Sequence, residues 1–124
     1  MKVGNIMNKV VVIEHDMILK KAAAVMSSFN IGCLTFFKNN KIEGIITERD
    51  ILKNISNPTK KVSSVMTKDV ITVDINENLE SAVSIMASHK IKKLLITEKE
   101  KLVGIVTATD ILANSDLLNE DLFF

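Results

Sequence analysis

The chain contains no tryptophan and no tyrosine, and only one cysteine and one proline in 124 residues. The missing aromatics remove the preferred platforms for stacking nucleobases and leave only five phenylalanines. The lone Cys33 cannot close an intramolecular disulfide. In apolar surroundings it is an inert small hydrophobe, which suits a reducing compartment. An excess of either charge is also missing, with 16 Lys and Arg against 15 Asp and Glu. That balance argues against nucleic-acid binding driven by bulk phosphate attraction. No apolar run approaches the ~18 residues that a membrane span requires, and the start Met1-Lys2-Val3-Gly4-Asn5 lacks a secretory apolar segment. A cytoplasmic protein is expected. His15 and His89 stand far apart with no second ligand at metal-binding spacing, so no metal site is expected. A Gly-rich phosphate loop, a nucleophile elbow and a two-cysteine motif are all absent. No catalytic residue is therefore assigned, and the expectation is not an enzyme.

What is present is a duplication. Shifted by 60 residues, the chain overlays itself, with no gap from Leu19 to Leu52. Leu19 falls on Leu79, Ala22 on Ala82, Met26 on Met86 and Leu34 on Leu94. Gly44, Ile45, Thr47, Asp50, Ile51 and Leu52 fall on Gly104, Ile105, Thr107, Asp110, Ile111 and Leu112. Upstream, one inserted residue places Met7 on Met66. Each copy reads alike. Leu19, Ala22, Ala23 and Met26, like Leu79, Ala82, Val83 and Met86, form one face of an amphipathic helix. Strands are expected over 33–37 and 42–46, and over 93–97 and 102–106. Asn39-Asn40 and Lys99-Glu100 are the turns of two antiparallel hairpins. A closing helix follows Thr47 or Thr107. The β-branched runs Val10–Ile13 and Val70–Val73 add a strand or extended segment before each first helix. One unit leaves apolar surface uncovered, so two units packed about a pseudo-twofold axis are expected to form one domain. The fold class is α/β of the α+β type, with two tandem α-β-β-α units, each preceded by that strand or extended segment. Residues 1–57 form the first repeat, 58–61 a connector, 62–115 the second repeat and 116–124 an apolar tail.

Thr47-x-x-Asp50 and Thr107-x-x-Asp110 stand where the last strand becomes the last helix. Threonine at the N-cap and an acid three residues on make a near capping box, which satisfies exposed helical N–H groups. The same carboxylate is acceptor-only and can take two hydroxyl donors, such as the neighbouring 2′ and 3′ hydroxyls of a ribose. Capping and binding are compatible, and both readings stand at this point.

The duplicated unit, with Met7 and Met66 leading in, closes on Gly-Ile-Ile-Thr-Glu-Arg-Asp-Ile-Leu (44–52) and Gly-Ile-Val-Thr-Ala-Thr-Asp-Ile-Leu (104–112). In this it resembles the CBS (cystathionine β-synthase) domain pair, or Bateman module, from about Val3 to Asn114. The resemblance implies two tandem βαββα units built on small three-stranded sheets, and clefts for adenosine-containing ligands such as AMP, ADP, ATP or S-adenosylmethionine. It implies ribose and phosphate contacts at Thr47 and Asp50 for one cleft and at Thr107 and Asp110 for the other. Backbone of the extended segments, Val11 and Val12 or Ile71 and Thr72, would read the adenine edge. In the family, phosphate contacts often come from a cationic pair just before the first hairpin strand of the opposite repeat, a place that maps onto Lys92 and Lys93 in the second repeat and onto uncharged Gly32-Cys33 in the first. The cleft of Asp50 is then expected to favour phosphorylated nucleotides. Arg49 is a further phosphate candidate, and an exposed first-turn residue otherwise. The family often has proline in the first hairpin strand, where this chain has Leu34-Thr35 and Leu94-Leu95.

The resemblance also implies a homodimer and a regulatory role read by an effector protein, in which the adenosine compound is a ligand and not a catalytic cofactor. The tail residues Leu117, Leu118, Leu122, Phe123 and Phe124 offer either packing on their own domain or a face for a second subunit. Two other readings compete. One is an interaction module with vestigial clefts. The other is a weak DNA- or RNA-binding protein using Lys60-Lys61 and Lys92-Lys93.

Overall fold

The structure, a computed structural model, describes residues 1–114; the tail readings at 116–124 lie outside the described residues. Two three-stranded sheets share one topology. In the first, β1 (Val12–Ile13), β2 (Cys33–Lys38) and β3 (Lys41–Thr47) are ordered β1-β2-β3. β1 pairs parallel to β2, and β2 pairs antiparallel to β3. The parallel step needs a crossover, which α1 (Leu19–Phe29) supplies. α2 (Glu48–Lys53) follows β3, and a short α3 (Val62–Val65) follows the connector. In the second sheet, β4 (Thr72–Asp74), β5 (Lys93–Glu98) and β6 (Lys101–Thr107) repeat the order, with α4 (Leu79–His89) as crossover and α5 (Ala108–Ala113) closing. Even the irregularities repeat, with register shifts at Phe36/Phe37 and at Ile96/Thr97.

The helices and hairpins fall where the periodicity places them. The expected strands each lengthen by a residue or two at their ends. The Val10–Ile13 run contributes only Val12–Ile13 as strand. Each hairpin turns through two residues with positive φ, Asn39 and Asn40 at 54° and 58° and Lys99 and Glu100 at 51° and 68°. Asparagine tolerates this conformation, whereas lysine and glutamate adopt it against their preference.

The described residues divide into two compact units, one of Val10–Val70 and one of Met1–Lys9 with residues 71–114. The leading segment of each sequence repeat therefore folds with the other repeat's sheet. In the unit of Val10–Val70, Leu19 and Lys20 N–H groups donate to the carbonyls of Lys60 and Pro58. The connector thus satisfies the start of α1, which has no side-chain cap. Val62 N–H donates to Met17 O, and Val62 is fully buried beside Leu19, Met26 and Leu34. The other unit copies this. Leu79 N–H donates to Met1 O, Val3 N–H to Glu77 O, and Val3 is fully buried beside Met86, Leu94 and Val106.

The same swap explains two glycines. At Gly44, a Cβ would lie 2.6 Å from Met66 Sδ and 2.8 Å from Thr67 O. At Gly104 it would lie 2.6 Å from Met7 Sδ and 3.0 Å from Asn8 O. The leading segment crosses directly over the strand at these points, as the bridges Ile45–Thr67 and Asn8–Ile105 show. Both positions require a residue without a side chain because the backbones approach so closely.

Candidate functional site

Each Thr-x-x-Asp forms the cap that its spacing predicts. Thr47 is the N-cap of α2, and its N–H donates to Asp50 Oδ2 at 2.9 Å. Asp50 N–H donates back to Thr47 Oγ1 at 3.4 Å. Thr107 N–H donates to Asp110 Oδ2 at 2.9 Å, and Asp110 N–H to Thr107 Oγ1 at 3.1 Å. All four residues are half-buried. Below each cap, an asparagine amide (Asn54 or Asn114) donates to the Asp carbonyl at 2.8 Å. Capping is thus real in both repeats. It uses one carboxylate oxygen, Oδ2. Among the described residues Oδ1 of each Asp has no protein donor, so each lip keeps an acceptor for a ligand.

The two lips differ at one contact that sequence reasoning missed. In the first, Thr47 Oγ1 spends its own proton on Asp50 Oδ2 at 3.1 Å. In the second, Asn8 Nδ2 donates to Asp110 Oδ2 at 2.9 Å. Asn8 reaches Asp110 because the leading segment bridges to Ile105. The equivalent residue in the first lip, bridging to Ile45, is Thr67. The signal was available in the pairing of Met7 with Met66, which makes Asn8 the counterpart of Thr67. What hid it was the assumption that each leading segment belongs with its own repeat.

The other candidates take these places. Val11 is half-buried, and its carbonyl already accepts Thr35 N–H at 3.1 Å. Val12 is exposed on the edge strand β1; Ile71 is half-buried and Thr72 exposed at the start of β4. Lys93 pairs in register with Thr107, and Lys92 O accepts Ala108 N–H at 2.8 Å, so both lysines border the lip of their own unit. At the matching place in the first unit, Cys33 pairs with Thr47 and Gly32 O accepts Glu48 N–H at 2.9 Å. Arg49 is exposed in the first turn of α2. A surface pocket of about 440 Å³ opens between α1 and α2, lined by Met26, Asn30, Gly32, Glu48, Ile51 and Leu52 among others. Neither Thr47 nor Asp50 lines it. Among the described residues no group of three His, Cys, Asp or Glu could hold a metal, and no helix is long and apolar enough to cross a membrane.

The doubled sheet, the doubled cap and the crossing leading segments coincide with a family match. The model of the CBS domain matches twice, over residues 3–57 and 62–116. The chain belongs to the CBS domain family. An uncharacterized protein of Methanocaldococcus jannaschii is 36% identical over 113 residues, covering 90% of this chain and 38% of that protein. The inosine-5′-monophosphate dehydrogenase of the same organism is 37% identical over 109 residues, covering 86% of this chain but only 22% of the dehydrogenase. The chain thus spans well under half the length of these relatives. Among solved structures, the CBS domain pair of protein MJ0100, in complex with 5′-methylthioadenosine and S-adenosyl-L-methionine, superposes with a TM-score of 0.84. That pair is 28% identical, and the match covers 91% of this chain and 94% of that one. A conserved protein from Pyrococcus horikoshii matches with a TM-score of 0.84 and 28% identity, covering 93% of this chain and 92% of that one.

Proposed function

We propose that this CBS pair is a regulatory module that binds adenosine-containing ligands, from AMP, ADP and ATP to S-adenosylmethionine, and is not itself an enzyme. One observation carries the reading: in both repeats the half-buried aspartate caps its helix through Oδ2 alone and keeps Oδ1 for a ligand hydroxyl. A 28% identical relative of the same fold is seen with two adenosine compounds, which supports the same ligand class here. Bonds from ligand hydroxyls to a carboxylate are worth roughly 1.5–3 kcal/mol each. Thr47 and Thr107 would assist at the ribose or phosphate, and Val11, Val12, Ile71 and Thr72 would border the base. Lys92, Lys93 and Arg49 supply cations for a phosphate. The first repeat has Gly32-Cys33 in place of the lysine pair, so the two sites should prefer ligands of different charge.

The regulated partner would be an effector protein that reads ligand-dependent packing of the repeats. Exposed Phe29, Leu52 and Ile55 in one unit, with Val83 and Leu112 in the other, offer apolar surface for a homodimer. A nucleic-acid partner is disfavoured by the balanced charge, and the reading places the protein in the cytoplasm.

Thermal melting with AMP, ATP or S-adenosylmethionine tests the reading. A ligand at 100 times its dissociation constant stabilises by about 2.7 kcal/mol. Asp50→Ala and Asp110→Ala, made separately, should each remove part of the shift. Unchanged melting of wild-type protein with all three compounds would leave the interaction-module reading in its place.

A further inference from the structure

Among the described residues Thr35 is the one buried polar residue, with no exposed surface, and its Oγ1 has no hydrogen-bond partner there. A buried hydroxyl left unpaired is a cost that a folded protein rarely carries without a use. The second repeat has Leu95 at the equivalent position, equally buried and apolar. The fold therefore does not need a hydroxyl there.

The sheet register shows what Thr35 stands beside. Leu34 and Phe36 point into the core with Leu19 and Met26. Thr35 lies between them in β2, so alternation puts its side chain on the opposite face. On that face its cross-strand neighbours are Val12 and Ile45. Two residues back along the strand is Cys33, paired with Thr47. Thr35 thus shares a face with Val12, on the edge strand, and with Thr47, at the lip. Its place is roughly 7 Å along the strand from that of Thr47. This is about the span from a ribose hydroxyl to the base of the same nucleoside.

We infer that Thr35 Oγ1 is a specificity-determining contact for the base of the ligand whose ribose Asp50 holds. The inference rests on the adenosine-binding reading above. The hydroxyl would pair with a ring nitrogen or the exocyclic amine of the purine. Leu95 offers no such bond, so the two sites differ in base recognition as well as in charge. Thr35 has no exposed surface in this structure, so a ligand base reaches it only with a change of packing. Binding in the first repeat is then coupled to a change of packing, as a sensor requires.

The test replaces Thr35→Val, which keeps the shape and removes the hydroxyl, and Thr35→Ser, which keeps the hydroxyl. Binding of AMP and of 5′-methylthioadenosine is measured by calorimetry, with melting of the ligand-free proteins alongside. The expected result for Thr35→Val is an affinity lower by several-fold to about tenfold, with a ligand-free melting temperature equal to or above wild type. Thr35→Ser should bind within about twofold of wild type. Thr35→Val binding as tightly as wild type overturns the inference and leaves the adenosine reading intact. So does a ligand-free Thr35→Val that melts well below wild type, because the hydroxyl would then be satisfied in the folded chain. Where wild type binds neither, the same comparison is made with ATP and S-adenosylmethionine, and wild type that binds none of the four contradicts the adenosine reading itself, and this inference with it.

Discussion

At the scale of single residues, each aspartate caps its helix through Oδ2 and is proposed to hold a ligand hydroxyl through Oδ1. The cap occupies Oδ2, and the ligand role depends on Oδ1 and on what competes for the carboxylate. At Asp110 the competitor is the Asn8 amide, 2.9 Å away. A ligand diol must share the carboxylate with a side chain from another segment. At Asp50 it meets only the hydroxyl of Thr47, which can rotate away. Asn8→Ala should therefore raise the affinity of the Asp110 lip for an adenosine compound by roughly two- to tenfold. Because Asn8 is exposed, its stability should change by less than about 0.5 kcal/mol. Calorimetry in an Asp50→Ala background isolates that lip, and an unchanged or weaker affinity would show that Asn8 does not compete. The Thr-x-x-Asp pair was legible in the sequence because a cap is a local device, set by a spacing of three. Asn8 and Thr35 were not, since one acts across 102 residues of chain and the other is defined by a missing partner.

At the scale of elements, periodicity located α1, α4 and both hairpins because each buries one face in its own sheet. It did not locate α3, whose four residues carry too little pattern. That helix is positioned instead by Asp16. Asp16 Oδ1 accepts the N–H groups of Met17 at 2.9 Å and Ser63 at 3.1 Å, and Oδ2 accepts the Ser63 hydroxyl. Desolvation is the largest influence on this carboxyl and pushes its pKa up. The bonds from Ser63 and Met17 and the charge of Lys61 together outweigh it and hold the pKa below the usual carboxylate value. A carboxyl depressed in the folded state stabilises at pH values above its unfolded pKa, and loses that contribution as pH falls through the folded one. Asp16→Ala should thus melt below wild type near neutral pH, with a gap that narrows below about pH 4. Melting curves across that range check the sign, and a gap that widens in acid would refute it.

At the scale of the whole molecule, the duplication was plain from the sequence, and it led directly to the family. The exchange of leading segments was not plain, because a repeat alignment shows which residues are equivalent and not which ones touch. Gly44 and Gly104 were visible as repeated glycines, but only the crossing backbones explain them. The exchange has a consequence for stability. Val3 lies in the first sequence repeat yet is fully buried with Leu94 and Val106 of the second. Val3→Ala should cost about 1.5–3 kcal/mol, and hydrogen exchange should speed up most in β5 and β6. Faster exchange in β2 and β3 instead would contradict the exchange of segments.

The central claim is that both Thr-x-x-Asp lips of this CBS pair bind the ribose of an adenosine compound. Calorimetric titration of wild type and of the Asp50→Ala/Asp110→Ala double variant with AMP, ATP and S-adenosylmethionine tests it most directly. The expected result is saturable binding of at least one compound to wild type, and its loss in a double variant that remains folded. Binding of equal affinity in the double variant, or none in wild type, would contradict it.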